Sequence, residues 1–136
     1  MSSYGPTVNL EQTKKVLAAA EAEAVKQGWN VAIAVVDTAG NLVGLIKRDD
    51  TQSASVNVAQ DKARTAALYR RPSKAFQDMV AGGGLGLRVM TMRDVVAAEG
   101  GLPLVVDGKI IGAVGVSGVN SDQDGIVAAA GAAALR

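Results

Sequence analysis

The chain of 136 residues contains no cysteine and no histidine. The lack of cysteine excludes disulfides, thiolate nucleophiles and cysteine-based metal sites. The lack of histidine removes the commonest metal ligand and the only side chain that ordinarily titrates near neutral pH. We therefore predict no metal site, and we expect any acid–base chemistry to use Asp, Glu, Lys or Tyr side chains with shifted pKa values.

Aromatic residues are scarce as well, at 3% of the chain, and the formal net charge is only +1. Neither a stacking platform nor a basic field for nucleic acid is indicated. The longest apolar runs have the length of strands, far short of the roughly 20 residues that cross a bilayer. Residues 1–6 show no leader pattern. We expect a cytoplasmic protein with no nucleic-acid or membrane partner.

Hydrophobic periodicity and turn residues predict one domain over residues 1–136, with its core at about 8–131. The predicted helices are one capped by Thr7 or Asn9 and ended at Gly28, one capped by Ser53 or Ser55 that runs to about Tyr69, a short one capped by Ser73 that runs to Met79, and a last one, 124–135, capped by Ser121 or Asp122. The predicted strands are Trp29–Val36, Leu42–Lys47, a weak strand Leu87–Met92, and a hairpin that opens at Pro103. Two hairpins among helices favour an α+β fold, with about five antiparallel strands flanked by helices.

The segment 100–118 is the most informative part of the chain. The Asp107-Gly108 pair between two apolar runs is a strong hairpin signal, because both residues tolerate positive φ. Gly112 and Gly115 remove side chains from the second strand, which costs stability and indicates a close approach to the backbone. A helix, another subunit or a ligand could each be what approaches.

One helical face carries candidate chemistry at Lys62, Thr65 and Tyr69. A partly desolvated lysine beside a stripe of small residues could polarise a carbonyl or bind a carboxylate; the structural alternative is an aliphatic stem that covers the sheet edge. Glu99 directly precedes Gly100. If buried, it is the natural general base; otherwise it is a surface glutamate.

Other candidate ligand contacts lie in loops. Arg71 and Arg88 flank the glycine loop 82–86, where guanidinium groups could bind a carboxylate or form intersubunit ion pairs. Ser117 and Gly118 enter the last helix, so their N–H groups could bind an anion or simply form a turn.

Three methionines, Met79, Met90 and Met92, suggest a soft ligand set. We interpret them instead as residues that fill gaps in a core or interface, since the methionine side chain adapts to irregular spaces.

Several ordered motifs together resemble the GlcG/HbpS-like family, which also occurs as the C-terminal domain of PduO-type cobalamin adenosyltransferases. The matching segments are 34–42, 48–55, 61–67, 71–73 and 100–118, and the likeness extends over residues 8–131. The resemblance implies a profilin-like α/β/α fold, a homo-oligomer, and binding of haem or another tetrapyrrole in some members.

From these observations we expect a homo-oligomer that binds a small planar or carboxylated organic ligand. Haem is the ligand that the resemblance suggests; members described as haem binders commonly place a histidine or a threonine at the iron, and this chain has no histidine. The candidate iron ligands are Lys62, Thr65, Tyr69, Met90 and Met92. The expected ligand contacts are Thr65, Tyr69, Arg71, Arg88, Gly100, Gly101, Ser117 and Gly118.

Two other functions fit the same residues. One is a cofactor-independent isomerase, lyase or hydrolase that acts on a small organic acid, with Lys62 and Glu99 as its acid–base pair. The other is an accessory subunit that stabilises a partner enzyme.

Overall fold

The computed structural model describes residues 2–136. Its helices are α1 (Leu10–Gln27), α2 (Ser55–Tyr69), α3 (Lys74–Ala81) and α4 (Ser121–Ala133), and its strands are β1 (Ala32–Asp37), β2 (Leu42–Lys47), β3 (Gly101–Val106) and β4 (Lys109–Ser117). The four strands form one antiparallel sheet in the order β2-β1-β4-β3. The predicted α+β class is therefore confirmed, with four strands.

The fifth strand that we predicted at Leu87–Met92 is wrong. These residues belong to a 3-10 segment, Gly84–Thr91. Hydrogen bonds between residues three apart close its turns, from Gly86 N–H to the Gly83 carbonyl and from Met92 N–H to the Val89 carbonyl. Gly83 and Gly84 adopt positive φ, which turns the chain back onto α3 before a strand can extend.

Residues of β1 alternate between two helical layers, as a strand buried on both faces requires. Ile33 and Val35 pack with α1 and α4 in the main core, whereas Ala32, Ala34 and Val36 pack towards α2. The larger side chains fill the space under two helices. The alanines on the other face let α2 lie close.

Both ends of α1 follow its sequence. Asn9 caps the first turn, where its Oδ1 accepts the Gln12 N–H and the Gln12 side chain accepts the Asn9 N–H. Gly28 ends the helix in the left-handed conformation. The Asp107-Gly108 turn also forms as predicted, with positive φ at both residues.

The other predicted caps need correction. Helices α2 and α3 begin next to Ser55 and Ser73, yet neither hydroxyl caps its helix. Each hydroxyl instead bonds a residue distant in sequence. The Ser55 hydroxyl accepts from Ser117 of β4, and the Ser73 hydroxyl donates to the Ala98 carbonyl in the loop before β3. Helix α4 begins at Ser121 with Asn120 in the cap position. Within residues 2–136 no helix is long and apolar enough to span a membrane.

Helix α2 contacts β4 with no side chain between the two backbones at Gly115. A Cβ at this position would lie 2.1 Å from the Ala59 carbonyl oxygen and 2.5 Å from the Ala63 nitrogen. The close approach that we predicted from this glycine is therefore made by a helix of the same chain.

We expect Gly115→Ala to lower the free energy of unfolding by about 1–3 kcal/mol, because the added methyl overpacks the contact between α2 and β4. Urea denaturation measures this change. Gly82→Ala is the matched control, since a Cβ there would sit at an ordinary 3.5 Å from the Asp78 carbonyl oxygen and φ is −73°. Equal losses from the two substitutions would contradict the packing explanation.

Candidate functional site

A buried ion pair joins α2 to α4 at the end of β4. Lys62 Nζ lies 2.9 Å from Asp124 Oδ2 and donates to the Val116 carbonyl at 3.1 Å. The other carboxylate oxygen of Asp124 accepts the Val119 N–H. Only 3% of Lys62 and 2% of Asp124 is exposed, so both charges have lost water and depend on each other.

Burial raises the pKa of Asp124, and the hydrogen bond and charge of Lys62 oppose that rise. The carboxylate is therefore held in its charged form mainly by its partner. Sequence reasoning missed this pairing because no local pattern links two residues that lie 62 positions apart.

Glu99 lies beside this ion pair without joining it. Its N–H donates to the Gln77 side-chain oxygen, and its carboxylate covers Gly125, where a Cβ would lie 2.6 Å from Oε2. Within residues 2–136 the ion-pair partner of Lys62 is Asp124, not Glu99. Glu99 and Lys62 do not pair directly, but the residues that follow Glu99 and Asp124, Gly100 and Gly125, contact Lys62 Nζ and the Glu99 carboxylate respectively. A catalytic role for the two residues stays a prediction.

Protein atoms surround the glycines at the two ends of the hairpin. A Cβ on Gly100 would lie 2.9 Å from Lys62 Nζ, and a Cβ on Gly101 would lie 2.2 Å from the Lys62 carbonyl oxygen. Gly118 packs on the Asn30 carbonyl, and the Ser117 hydroxyl donates to Ser55. Internal packing alone accounts for glycine at these positions.

Residues 93–99 follow the 3-10 segment without regular structure, and a row of side chains holds them to α2 and α3. The row consists of Thr65, Tyr69, Ser73 and Gln77, which are spaced four residues apart. Its hydrogen bonds are, in order, Val96 N–H to the Thr65 hydroxyl, the Tyr69 hydroxyl to the Arg93 carbonyl, the Ser73 hydroxyl to the Ala98 carbonyl, and Glu99 N–H to the Gln77 oxygen. Thr65 and Tyr69 therefore already use their hydroxyl groups.

A groove of about 450 Å³ lies between α3 and the 3-10 segment. Its volume falls in the range of small-molecule sites. The walls are mainly apolar, and none of the described residues that line it is acidic. The lining comprises Phe76, Met79, Leu85, Gly86, Val89 and Met92 together with two arginines, Arg71 and Arg88.

The two arginines give the groove its positive charge. Arg71 donates from Nε to the Tyr69 carbonyl at 3.0 Å, and its guanidinium lies 5.7 Å from the centre of the Phe76 ring. Tyr69 meets the same ring edge to face at 5.2 Å. Arg88 is exposed and forms no ion pair with another residue of the described range 2–136.

The structure therefore brings together Arg71 and Arg88 from the predicted ligand contacts, with Tyr69 next to Phe76. Sequence reasoning did not include Phe76 among the ligand contacts. Two features of the sequence could have pointed to Phe76. It is one of only four aromatic residues, and it lies on the short helix that precedes the glycine loop.

An antiparallel sheet with α1 and α4 on one face and α2 on the other places this chain in a class of small α+β proteins. The chain also matches the family "Haem degrading protein HbpS-like" over residues 8–133. It belongs to the HbpS-like family, as its motifs indicated.

Its relatives extend across most of the chain. Protein GlcG of Escherichia coli K12 is 45% identical over 107 residues, which are 79% of this chain and 78% of GlcG. The crystal structure of a double-mutant HbpS from Streptomyces reticuli has a TM-score of 0.88 at 29% identity, over 98% of this chain and 90% of that chain. The crystal structure of the PduOC–haem complex has a TM-score of 0.85 at 27% identity, over 96% of each chain.

We expect Lys62→Met to lower the free energy of unfolding by about 3–5 kcal/mol near pH 7.5, because it leaves a buried carboxylate without its partner. The variant also loses the contacts that oppose the rise in the pKa of Asp124. Protonated Asp124 needs no counter-charge, so the loss should be smaller at about pH 5. Urea denaturation at both pH values measures the difference.

A double-mutant cycle with Asp124→Asn separates the pair from the rest of the core. The double variant should lose much less stability than the two single variants added together. Lys74 and Asp78 form a pair of similar length, 2.8 Å, with both side chains about half exposed, and Lys74→Met should lose far less. Additive losses in the cycle would contradict the coupling.

Proposed function

We propose that this protein binds a planar, carboxylated organic ligand in the groove between α3 and the 3-10 segment, and that the ligand is haem or a related tetrapyrrole. One observation carries the proposal: two arginines border an apolar groove whose described lining has no acidic residue. The family description and the haem complex of the PduOC relative support haem as the first candidate.

The lining suits both parts of such a ligand. Met79, Leu85 and Met92 are more than one third exposed and offer apolar contact for a macrocycle, and burial of that surface would drive binding. The guanidinium groups of Arg71 and Arg88 match the geometry of propionate groups, to which they can donate paired hydrogen bonds.

Methionine sulfur is the natural iron ligand in this groove. Among the candidates from sequence, the Lys62 ammonium is bound to Asp124, and the hydroxyls of Thr65 and Tyr69 bond the backbone. Met92 lines the groove, and so does Met79. A bound haem would supply a redox-active iron, and thioether ligation raises its reduction potential.

Self-association completes the proposal. Leu10 and Val25 of α1 are each 57% exposed, and Ile126 of α4, on the same face of the sheet, is 47% exposed. Apolar side chains gathered on one surface are typical of an interaction site. We propose that a homo-oligomer covers them.

We expect haem titrated into the purified protein to give a saturable shift of the Soret band, with one site per chain. Arg88→Gln should weaken binding by about tenfold, because a charge-assisted contact to a propionate is lost. Lys14→Gln removes the same charge from α1, on the other face of the sheet, and should leave the affinity unchanged. A titration without saturation would overturn the proposal.

We expect the Met79→Leu/Met92→Leu double variant to bind haem with similar affinity but with an altered Soret band, since leucine keeps the volume and removes the sulfur ligand. Met90→Leu is the matched control, because Met90 does not line the groove and is 74% exposed. Identical spectra for the double variant and the wild type would rule out ligation by sulfur.

A further inference from the structure

The outer wall of the groove is a segment with little anchorage in the core. Residues 84–92, here named the flap, contribute four of the groove-lining side chains, yet only Val89 is buried. The large apolar residues Leu85, Leu87 and Met90 point largely to solvent. Segments with so few buried contacts open locally at a lower free energy than the global unfolding.

One end of the flap is joined to α3 by a flexible hinge. Gly83 has φ 67° and ψ −159°, a combination that is essentially restricted to glycine, and Gly84 has φ 58°. A Cβ on either residue would meet no atom within 4 Å. No neighbouring side chain therefore restrains the backbone at this point.

The flap rests on α3 through its backbone at Gly86. A Cβ there would lie 1.9 Å from the Met79 carbonyl oxygen and 2.7 Å from the Met79 carbonyl carbon. The closed position thus requires glycine, because any side chain at residue 86 would hold the flap away from the helix.

At the other end an exposed hydrogen bond holds Arg93, and the next residue, Asp94, is held by an ion pair with Arg64 and by the Thr65 hydroxyl. The Tyr69 hydroxyl donates to the Arg93 carbonyl at the surface. The bonds farther along the row are partly or fully buried: Val96 N–H to the Thr65 hydroxyl, and the Ser73 hydroxyl with Ala98 and Gly101. Water competes most easily for the exposed bond. When the flap lifts, the Tyr69 bond is therefore the first of the row to break.

We propose that residues 84–92 pivot on Gly83 and Gly84 to open and close the groove, and that the Tyr69 hydroxyl acts as the latch. The opening is a property of the free protein. Its use as the entry route for ligand rests on the function proposed above.

Amide hydrogen exchange on the full chain tests the latch. Tyr69→Phe keeps the ring contact with Phe76 and removes only the hydroxyl, so exchange over residues 84–93 should become about 2- to 10-fold faster, the factor that one net hydrogen bond corresponds to. Tyr4→Phe is the matched control, because its hydroxyl donates to the Ala67 carbonyl at 2.6 Å. Tyr4→Phe should leave exchange in the flap unchanged.

Gly86→Ala tests the closed position by a second route. The added methyl should hold the flap off α3 and speed exchange over residues 84–92, while β1 and β4 keep their protection. Wild-type exchange rates in the flap of both Tyr69→Phe and Gly86→Ala would overturn the proposal. Acceleration spread evenly over the whole chain would overturn it too.

Stopped-flow mixing with haem separates the flap from the binding function. If the flap gates entry, Tyr69→Phe should raise the association and dissociation rate constants by the same factor and leave Kd within about twofold. Faster flap exchange without any haem binding would refute the proposed function and support the flap. Haem binding with exchange and rates unaffected by either substitution would refute the flap and support the function.

Discussion

The close contact between α2 and the sheet is the constraint on which the rest of the structure depends. At Gly115 and at Gly101 the carbonyl oxygens of Ala59 and Lys62 occupy the space that a Cβ would need. On the neighbouring strand β1, the small side chains of Ala32 and Ala34 also let α2 lie close to the sheet. A helix held this near has a fixed rotation about its axis, because backbone contacts leave less freedom than interdigitated side chains do. Every side chain of α2 is therefore aimed by the same contact.

Two consequences of that rotation lie on the two sides of α2. On one side the Lys62 ammonium is directed to Asp124 over the end of β4, which ties α2 to α4 across the end of an inner strand. On the other side the row that begins with Thr65 and Tyr69 continues into α3 and holds the irregular residues 93–99. Residues 93–99 directly follow the flap along the chain. The position of the outer wall of the groove therefore also depends on α2. Stability and the candidate ligand site are thus linked through α2.

Particular residues show how far sequence reasoning reaches. The helix ends at Asn9 and Gly28 and the turn at Asp107-Gly108 were predictable, because each is decided by hydrogen bonds and φ angles within a few residues. The failure at Leu87–Met92 has the opposite cause. Its apolar residues alternate as in a strand, but no sheet edge receives them, and the contact of Gly86 with α3 selects a 3-10 segment instead. The partner of Lys62 was unpredictable for a related reason, since Asp124 lies 62 residues away and Glu99 had an equal claim by pattern.

By itself, the sequence determined the class of fold, the order of the four helices and two hairpins, the family, and the close backbone approach at Gly115, since these follow from local periodicity, turn chemistry and residue size. Only the tertiary structure decided what approaches that glycine and which carboxylate meets Lys62. Only the tertiary structure also brought Arg71, Phe76, Arg88 and Met92 to one groove. The reason is that a site assembled from separate segments depends on distances through space, and those distances are set by how α2 and α3 pack, not by spacing along the chain.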